Sequence, residues 1–467
     1  MVSIRVCAAL GLLFAATSCF VSYDPAPPAP NASGPAVLLI TVDTLRADHL
    51  GAYGLGLPAS PQIDRLAADG VLFERAVAGS SATAPSHATI LTSRFPREHS
   101  IGFRNGDTRL DGVPTIAAAF SNAGYATAAF VSNVVLRRGR GFETGFDAYD
   151  DAAPEQEVNR GIHERVAAQT TDAALAWLAN RGGRPFFLWV HYQDPHGPYS
   201  PPPDYRSRFH LAGRSWKGPL PVLADNTGIG GIPAYQVLGD LRHPSVYEDR
   251  YIDEIFYADA SIGRLIEAAD RAAGARRAIV LLTADHGESF GEDDQYFVHR
   301  MTTPDIAHVP MLLRSPGLAP RRCPDLVSHV DVLPTLLELA GIPAPANVSG
   351  VALGPALRAA APLPERFVFT DIGAELSAYT QTGFLRIRGV EAAWQRRADA
   401  HAALAPTATR YAWDGSSAWS ELGAQAVLPP QVDRYLRSAV PMQVAADPSP
   451  TEIARLQALG YLEVTKP

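Results

Sequence analysis

The chain is 467 residues long, 47% hydrophobic, and carries a net charge of −8. This suffices for a large core, built as two or three domains or as one large α/β domain with an appendage. Both charge signs are spread along the chain without a basic stripe, which argues against a nucleic-acid partner.

Arg5 gives the N-terminus a short positive start, and residues 8–16 form an apolar run of signal-peptide length, too short for a transmembrane helix. Ala16-Thr17-Ser18-Cys19 resembles a bacterial lipoprotein cleavage site with Cys19 as the lipidated first residue, although Ala16 stands where Leu is usual. The alternative is an ordinary secretory signal. Either form directs export to the cell envelope, periplasm or cell surface, and the first adds a membrane anchor as a partner. Cys7 would leave with the signal, so Cys323 has no partner for an internal disulfide. Residues 20–35 include PAPPAPNASGP, an extended tether that cannot pack; Asn31-Ala32-Ser33 within it is a formal sequon of little weight.

From residue 36 the chain alternates strand and helix. The run 36–42 has the apolar texture of a buried parallel strand, and 125–131, 186–190, 278–282 and 311–313 repeat it. Ser60-Pro61 opens a helix that Gly70 closes; 167–178, 258–272 and 333–339 are further helical patterns. This alternation predicts a doubly wound, mostly parallel α/β sheet flanked by helices. Residues 202–247 form a long insert punctuated by Gly and Pro, read as a loop or lid. Beyond about residue 345 short strands at 367–370 and 384–387 predict a smaller C-terminal α+β subdomain. The expected division is therefore 1–19 signal, 20–35 tether, 36–345 catalytic domain and 346–467 C-terminal subdomain.

Four places combine reactive side chains with a strand end or helix start, where α/β proteins place ligands. Asp43 closes the first apolar strand, either facing the crevice beyond the sheet or capping the next turn. Thr83 precedes Pro85-Ser86 at a helix start, where exposed N–H groups favour an anion; the alternative is a routine helix cap. His191-Tyr192-Gln193-Asp194-Pro195-His196 follows the strand at 186–190, as a substrate or metal loop or as a polar turn. Asp285-His286-Gly287-Glu288 ends the strand at 278–282 and offers oxygen and nitrogen to one cation, with His299 and His308 downstream.

The segments LLITVDTLRADHLGAYG, TAPSHATILTSRFPREHS, DPHGPYSPP, TADHGE and HVDVLPTLLELAGIP resemble, in order, the signature segments of the sulfatase family of the alkaline phosphatase superfamily. The resemblance covers residues 36–345 well and the remainder loosely; LQALGYL near the C-terminus is typical of bacterial members. It implies a metal-dependent ester hydrolase. Asp43 and Asp285 match metal ligands of the family, and Thr83 stands at the nucleophile position of its Cys-x-Pro-Ser-Arg pattern. Thr44 stands where many sulfatases place a second aspartate, His87 replaces the arginine of the pattern, and His286 stands where sulfatases carry Asn and phosphoester-cleaving relatives carry His.

Formylglycine, the sulfatase nucleophile, arises from Cys or Ser; a threonine, being a secondary alcohol, would give a ketone instead. The implied set is Asp43, Thr83, Asp285 and His286 around one divalent metal, Zn²⁺ or Mn²⁺ before Ca²⁺, which prefers oxygen alone. Thr83, His196 and His299 are the implied catalytic residues, and His87, Asp194, His196 and His299 the implied substrate contacts. A second metal on Asp194, His196 and His299 stays open. Three readings follow. The first is cleavage or transfer of a phosphate or phosphodiester through a Thr83 alkoxide; the second is sulfate-ester hydrolysis without formylglycine; the third is a non-catalytic binding lipoprotein. The substrate is expected to be a small-molecule, glycan or lipid ester.

Overall fold

The computed structural model describes residues 34–102, 109–156, 159, 163–216, 218–390, 407–416 and 418–437. Cys19, most of the tether and LQALGYL lie outside these residues.

The central sheet is built on β1 (Val37–Val42), every residue of which is buried. Its unbroken apolar sequence suits a strand covered on both faces, each fully buried aliphatic side chain contributing about 1.5–3 kcal/mol. β1 pairs in parallel with β5 (Phe186–Tyr192) on one side and β6 (Ile279–Ala284) on the other. With β2 (Val71–Val77), β3 (Ala126–Val131), β4 (Ala148–Asp150), β7 (His308–Arg314) and β8 (Arg321–Ser328), the order is β8-β2-β7-β6-β1-β5-β3-β4. Only β7 runs against its neighbours β2 and β6. The sheet is thus mixed and mostly parallel, as the alternating pattern predicts.

Three strands escape the apolar-run criterion: β4 has only three residues, and the other two are β2 and β8. β2 carries Glu74-Arg75 at its middle, and β8 begins with two arginines and breaks register between Cys323 and Leu326. Both lie toward the edge, where one face need not be apolar.

Helices α1 (Pro61–Ala68), α2 (Thr83–Thr92), α3 (Ala167–Asn180), α4 (Pro244–Ala273) and α5 (Val332–Leu339) flank the sheet. α4 has 30 residues and starts inside the insert expected to be all loop, so residues 244–247 are helical. Pro244 serves as a first-turn residue there and extends the helix backward rather than breaking it. None of the described helices is long and apolar enough to cross a membrane.

A second sheet is an antiparallel meander of β9 (Val368–Asp371), β10 (Glu375–Thr380), β11 (Gly383–Arg388), β12 (Thr407–Trp413) and β13 (Trp419–Ala424). Its core includes Phe369, Tyr379, Trp413 and Tyr435, and it draws Val77, Phe95, Ala307 and Leu326 from the larger unit. The larger core in turn extends to Leu353 and Leu357.

Candidate active site

The C-terminal ends of β1, β3, β5 and β6 and the N-terminus of α2 converge on one buried centre. β1 hands its last pairing to Asp43, whose N–H donates to the Tyr192 carbonyl at 2.9 Å. The chain then turns sharply: Thr44 has φ 55°, a left-handed conformation that costs a β-branched residue on the order of 1–3 kcal/mol. Two bonds hold it there. Thr44 N–H donates to Asp285 Oδ1 at 3.2 Å, and the Tyr251 hydroxyl donates to the Thr44 carbonyl at 2.7 Å.

Asp285 and His286 follow β6 directly. The His286 ring has its Nδ1 3.0 Å from the Gly287 carbonyl, which can only accept, so the proton sits on Nδ1 and Nε2 presents a lone pair. Gly287 is required by close approach, since a Cβ there would lie 2.3 Å from the Asp305 carbonyl oxygen.

The buried atoms at this centre that lack a hydrogen-bond partner among the described residues include Asp43 Oδ1, Asp285 Oδ2 and His286 Nε2. His286 Nε2 lies 3.9 Å from Asp43 Oδ1 and 3.5 Å from Asp285 Oδ2. Tetrahedral ligands at about 2.0–2.1 Å from a zinc-sized cation stand roughly 3.4 Å apart. Orphaned polar atoms cost about 1–3 kcal/mol each, more when charged, so this trio fits a divalent cation in both geometry and need. Among the described residues it is the group that could hold a metal ion.

The electrostatics agree. Burial alone would raise Asp43, but His191, His196 and His286 around it outweigh burial and hold its carboxyl well below the usual range. Burial and the neighbouring Asp43 charge push Asp285 well above that range. Burial lowers His286 to about 3, assisted by His299. Two carboxylates and an imidazole lone pair in one dry site repel one another until a cation joins them.

Thr83 is the first residue of α2, and its hydroxyl does not cap that helix: Ala82 is the N-cap, without a side-chain bond. Instead Thr83 Oγ1 donates to Asp43 Oδ2 at 3.5 Å. Asn133, just after β3, donates its Nδ2–H to the same oxygen at 2.8 Å and caps its own turn at Val135 N–H. Asn133 was not among the expected residues, yet it occupies the position after a strand that marks the other sites.

The histidines divide into two groups. The His299 ring stacks on His286 with centroids 4.2 Å apart, and His196 lies 5.6 Å from His299. The buried carboxyl of Glu288, pushed up to about 7 by burial, accepts the Tyr199 hydroxyl at 3.0 Å and stands 3.8 Å from His299 Nδ1. The other group lies beneath Asp43. His87, expected to bind substrate, is wholly buried with both nitrogens engaged, Nδ1 2.7 Å from the Thr83 carbonyl and Nε2 3.1 Å from Thr41 Oγ1. Its place four residues after Thr83 turns it inward along α2, beneath Thr83. His191 contacts Thr41 Oγ1 at 3.0 Å and faces Asp43 Oδ2 at 3.5 Å.

Asp194 lies at the start of α3. Its carboxylate accepts the Ala167 N–H at 2.8 Å, at the N-terminus of α3, and burial pushes it up to about 6. One of its two oxygens is thereby engaged at a helix start, where negative charge is favoured. His308 has its Nε2 2.9 Å from the Glu74 carbonyl and packs edge-on to Trp413 in the second sheet.

A sulfatase family model matches residues 35–342. The Δ4,5-hexuronate-2-O-sulfatase of Bacteroides thetaiotaomicron is 28% identical over 353 residues, covering 69% of this chain and 72% of its own. Human iduronate 2-sulfatase is 27% identical over 398 residues, covering 66% and 69%. Among solved structures, the phosphonate monoester hydrolase of Silicibacter pomeroyi has a TM-score of 0.61 at 22% identity, over 82% of this chain and 89% of its own. A 2-O glycosaminoglycan sulfatase has a TM-score of 0.57 at 21% identity, over 91% of each. Enzymes of this superfamily use a divalent metal, in keeping with the Asp43, Asp285 and His286 cluster. The chain belongs to the sulfatase family and is a hydrolase acting on ester bonds.

Proposed function

We propose that this enzyme cleaves or transfers a phosphate or phosphodiester group, with Thr83 as nucleophile. The observation that carries the reading is the Thr83 hydroxyl, free of capping duty, donating to Asp43 Oδ2 beside three orphaned ligand atoms. A threonine at this place does not give formylglycine, and His286 in the ligand set is the residue that phosphoester-cleaving relatives carry.

A divalent metal, Zn²⁺ or Mn²⁺, held by Asp43, Asp285 and His286 would supply Lewis acidity that lowers the Thr83 hydroxyl pKa and polarises the substrate. The chain's own residues do the rest. Thr83 attacks from the first turn of α2, where unsatisfied N–H groups favour negative charge. Asn133 holds Asp43 in orientation. His196 and His299 contact the remaining substrate oxygens or protonate the leaving oxygen, and water or a second alcohol then releases the group from Thr83.

The second reading is sulfate-ester hydrolysis, favoured by the names of the curated relatives, which act on hexuronate and iduronate 2-sulfates. A glycan ester is the substrate class that both readings share. The experiment is a side-by-side assay of 4-nitrophenyl phosphate, bis(4-nitrophenyl) phosphate and 4-nitrophenyl sulfate with Mn²⁺ or Zn²⁺, using the wild type and Thr83→Ala. Thr83-dependent phosphoester turnover exceeding sulfate turnover supports the first reading; the reverse order supports the second.

Attachment to the cell envelope through lipidated Cys19 is part of the same reading. It predicts palmitate labelling that Cys19→Ser abolishes; labelling retained in that variant contradicts it.

A further inference from the structure

The loop that joins β6 to β7 starts beside His286 and carries His299, and its backbone is strained. Asp293, Asp294 and Phe297 all take left-handed conformations, at φ 50°, 59° and 59°. Non-glycine residues persist there only where the surrounding structure over-determines them. Before His299 the loop itself and the insert meet this condition. Phe297 N–H donates to the Ser289 carbonyl at 2.6 Å, and Ser289 N–H donates to the Val298 carbonyl at 3.0 Å. The Tyr235 hydroxyl donates to the Phe297 carbonyl at 2.8 Å, and Gln236 Nε2–H does so at 3.3 Å.

After His299 the hold comes from the second sheet. β10 alternates Glu375, Ser377 and Tyr379, which places them on one face of the strand. All three reach Thr302, three positions after His299. Glu375 Oε1 accepts the Thr302 N–H at 3.0 Å and the Thr302 hydroxyl at 2.7 Å. That hydroxyl has no second proton, so the Ser377 hydroxyl donates to it at 2.7 Å. The Tyr379 hydroxyl donates to the Thr302 carbonyl at 2.5 Å. Every polar group of Thr302 is thus met by β10. Glu375 is itself fixed by Arg386 of β11, whose Nε lies 2.9 Å from Glu375 Oε2 and whose Nη1 donates to Asp293 Oδ2 at 2.7 Å, back in the same loop. Thr302, Glu375, Ser377 and Tyr379 are all buried. Apolar side chains would cover this junction without any polar group to satisfy; these hydrogen bonds instead specify one position for the loop.

Resting on the reading that His299 contacts the substrate, we propose that Glu375 and Tyr379 are positioning residues for the reaction. They act through Thr302 and set where the His299 ring stands, stacked on His286 at 4.2 Å and 5.6 Å from His196. The second sheet thereby takes part in the reaction of the larger unit through one clasped residue. Loss of either contact frees the end of the loop, and a displacement of about 1 Å at a group that contacts substrate costs on the order of 10²-fold in rate.

The test is a double-mutant cycle of Glu375→Ala and His299→Ala in the full chain, loaded with Mn²⁺ and given the aryl ester that the wild type turns over best. Glu375→Ala alone is expected to lower kcat/KM by about 10–100-fold with metal content per chain unchanged. In the His299→Ala background the same substitution is expected to cost less than about threefold, because the group it positions is gone. Tyr379→Phe removes only the hydroxyl and is expected to follow the same pattern with a loss of about tenfold; it decides alone if Glu375→Ala fails to fold by circular dichroism. Equal losses in both backgrounds, or turnover within about threefold of the wild type in Glu375→Ala or Tyr379→Phe, overturn the positioning role and leave the His299 reading intact. A His299→Ala enzyme within about threefold of the wild type, or a wild type inert on all three esters, overturns the reading of the site and the positioning role with it.

Discussion

Asp285→Asn separates the two demands that the centre places on its carboxylates. The candidate ligand atoms of Asp43, Asp285 and His286 lie within 4.8 Å of one another. Two unit charges at that separation repel by about 3.5 kcal/mol at an effective dielectric constant of about 20. Burial and the Asp43 charge raise Asp285 well above the usual carboxylate range, the direction in which a proton would relieve this repulsion. The neutral amide should therefore gain about 1–3 kcal/mol in the metal-free state. The loaded state behaves oppositely. A cation at a hundredfold excess over its Kd stabilises the wild type by about 2.7 kcal/mol, and the variant, one charged ligand short, loses most of that. At about 2.1 cal/mol/K per residue, a chain of 467 residues shifts its Tm by about 1 °C per kcal/mol. Calorimetry should then show Asp285→Asn melting about 1–3 °C above the wild type in EDTA. With saturating Mn²⁺ the wild type should rise by about 3 °C and the variant hardly move. A variant that melts below the wild type in EDTA, or that keeps the full metal shift, would refute the reasoning.

The pH dependence of the metal-free protein has a definite sign. Asp259 and Glu288 are pushed up to about 7 and Asp194 to about 6, all by burial, so the folded state holds protons that the unfolded state releases near pH 4. Their contribution falls as pH rises from about 4 to 7. Burial lowers His99, His286 and His329 to about 3, so their contribution is lost as pH falls below about 6.5. Thermal melts in EDTA should therefore pass through a maximum near pH 6, whereas a steady rise from pH 5 to 8 would contradict these assignments. Gly287→Ala forces a Cβ to within 2.3 Å of the Asp305 carbonyl and should cost about 1–3 kcal/mol, read as a lower denaturation midpoint at unchanged m-value; an unchanged midpoint argues against the close approach. Asn133→Ala frees one oxygen of Asp43 and should weaken metal affinity by about 10–100-fold by titration calorimetry, while affinity equal to the wild type would deny Asn133 its orienting role.

The strand ends were the most legible part of this chain. β1 and β6 are apolar runs that stop at a carboxylate, and that single pattern locates Asp43 and Asp285 because side chains beyond a parallel strand face the crevice. The same rule applied to β3 would have found Asn133, but an amide after an apolar run draws less notice than a charged group. His87 and Asp194 were harder. Their residue types suit substrate contact, whereas their roles depend on which way α2 and the start of α3 present them, and only the packed structure fixes that. β8 escaped because edge position relaxes the demand for apolar residues, and β2, next to it, because Glu74-Arg75 interrupts its apolar run.

The most direct test of the central claim is to trap the enzyme in turnover. Wild type loaded with Mn²⁺ and mixed with bis(4-nitrophenyl) phosphate would be quenched in acid within the first turnovers, digested, and mapped by tandem mass spectrometry. The account predicts a phosphoryl ester on Thr83, absent from Thr83→Ala and lost on a longer chase. Turnover with no adduct on Thr83, or an adduct on another side chain, would contradict it.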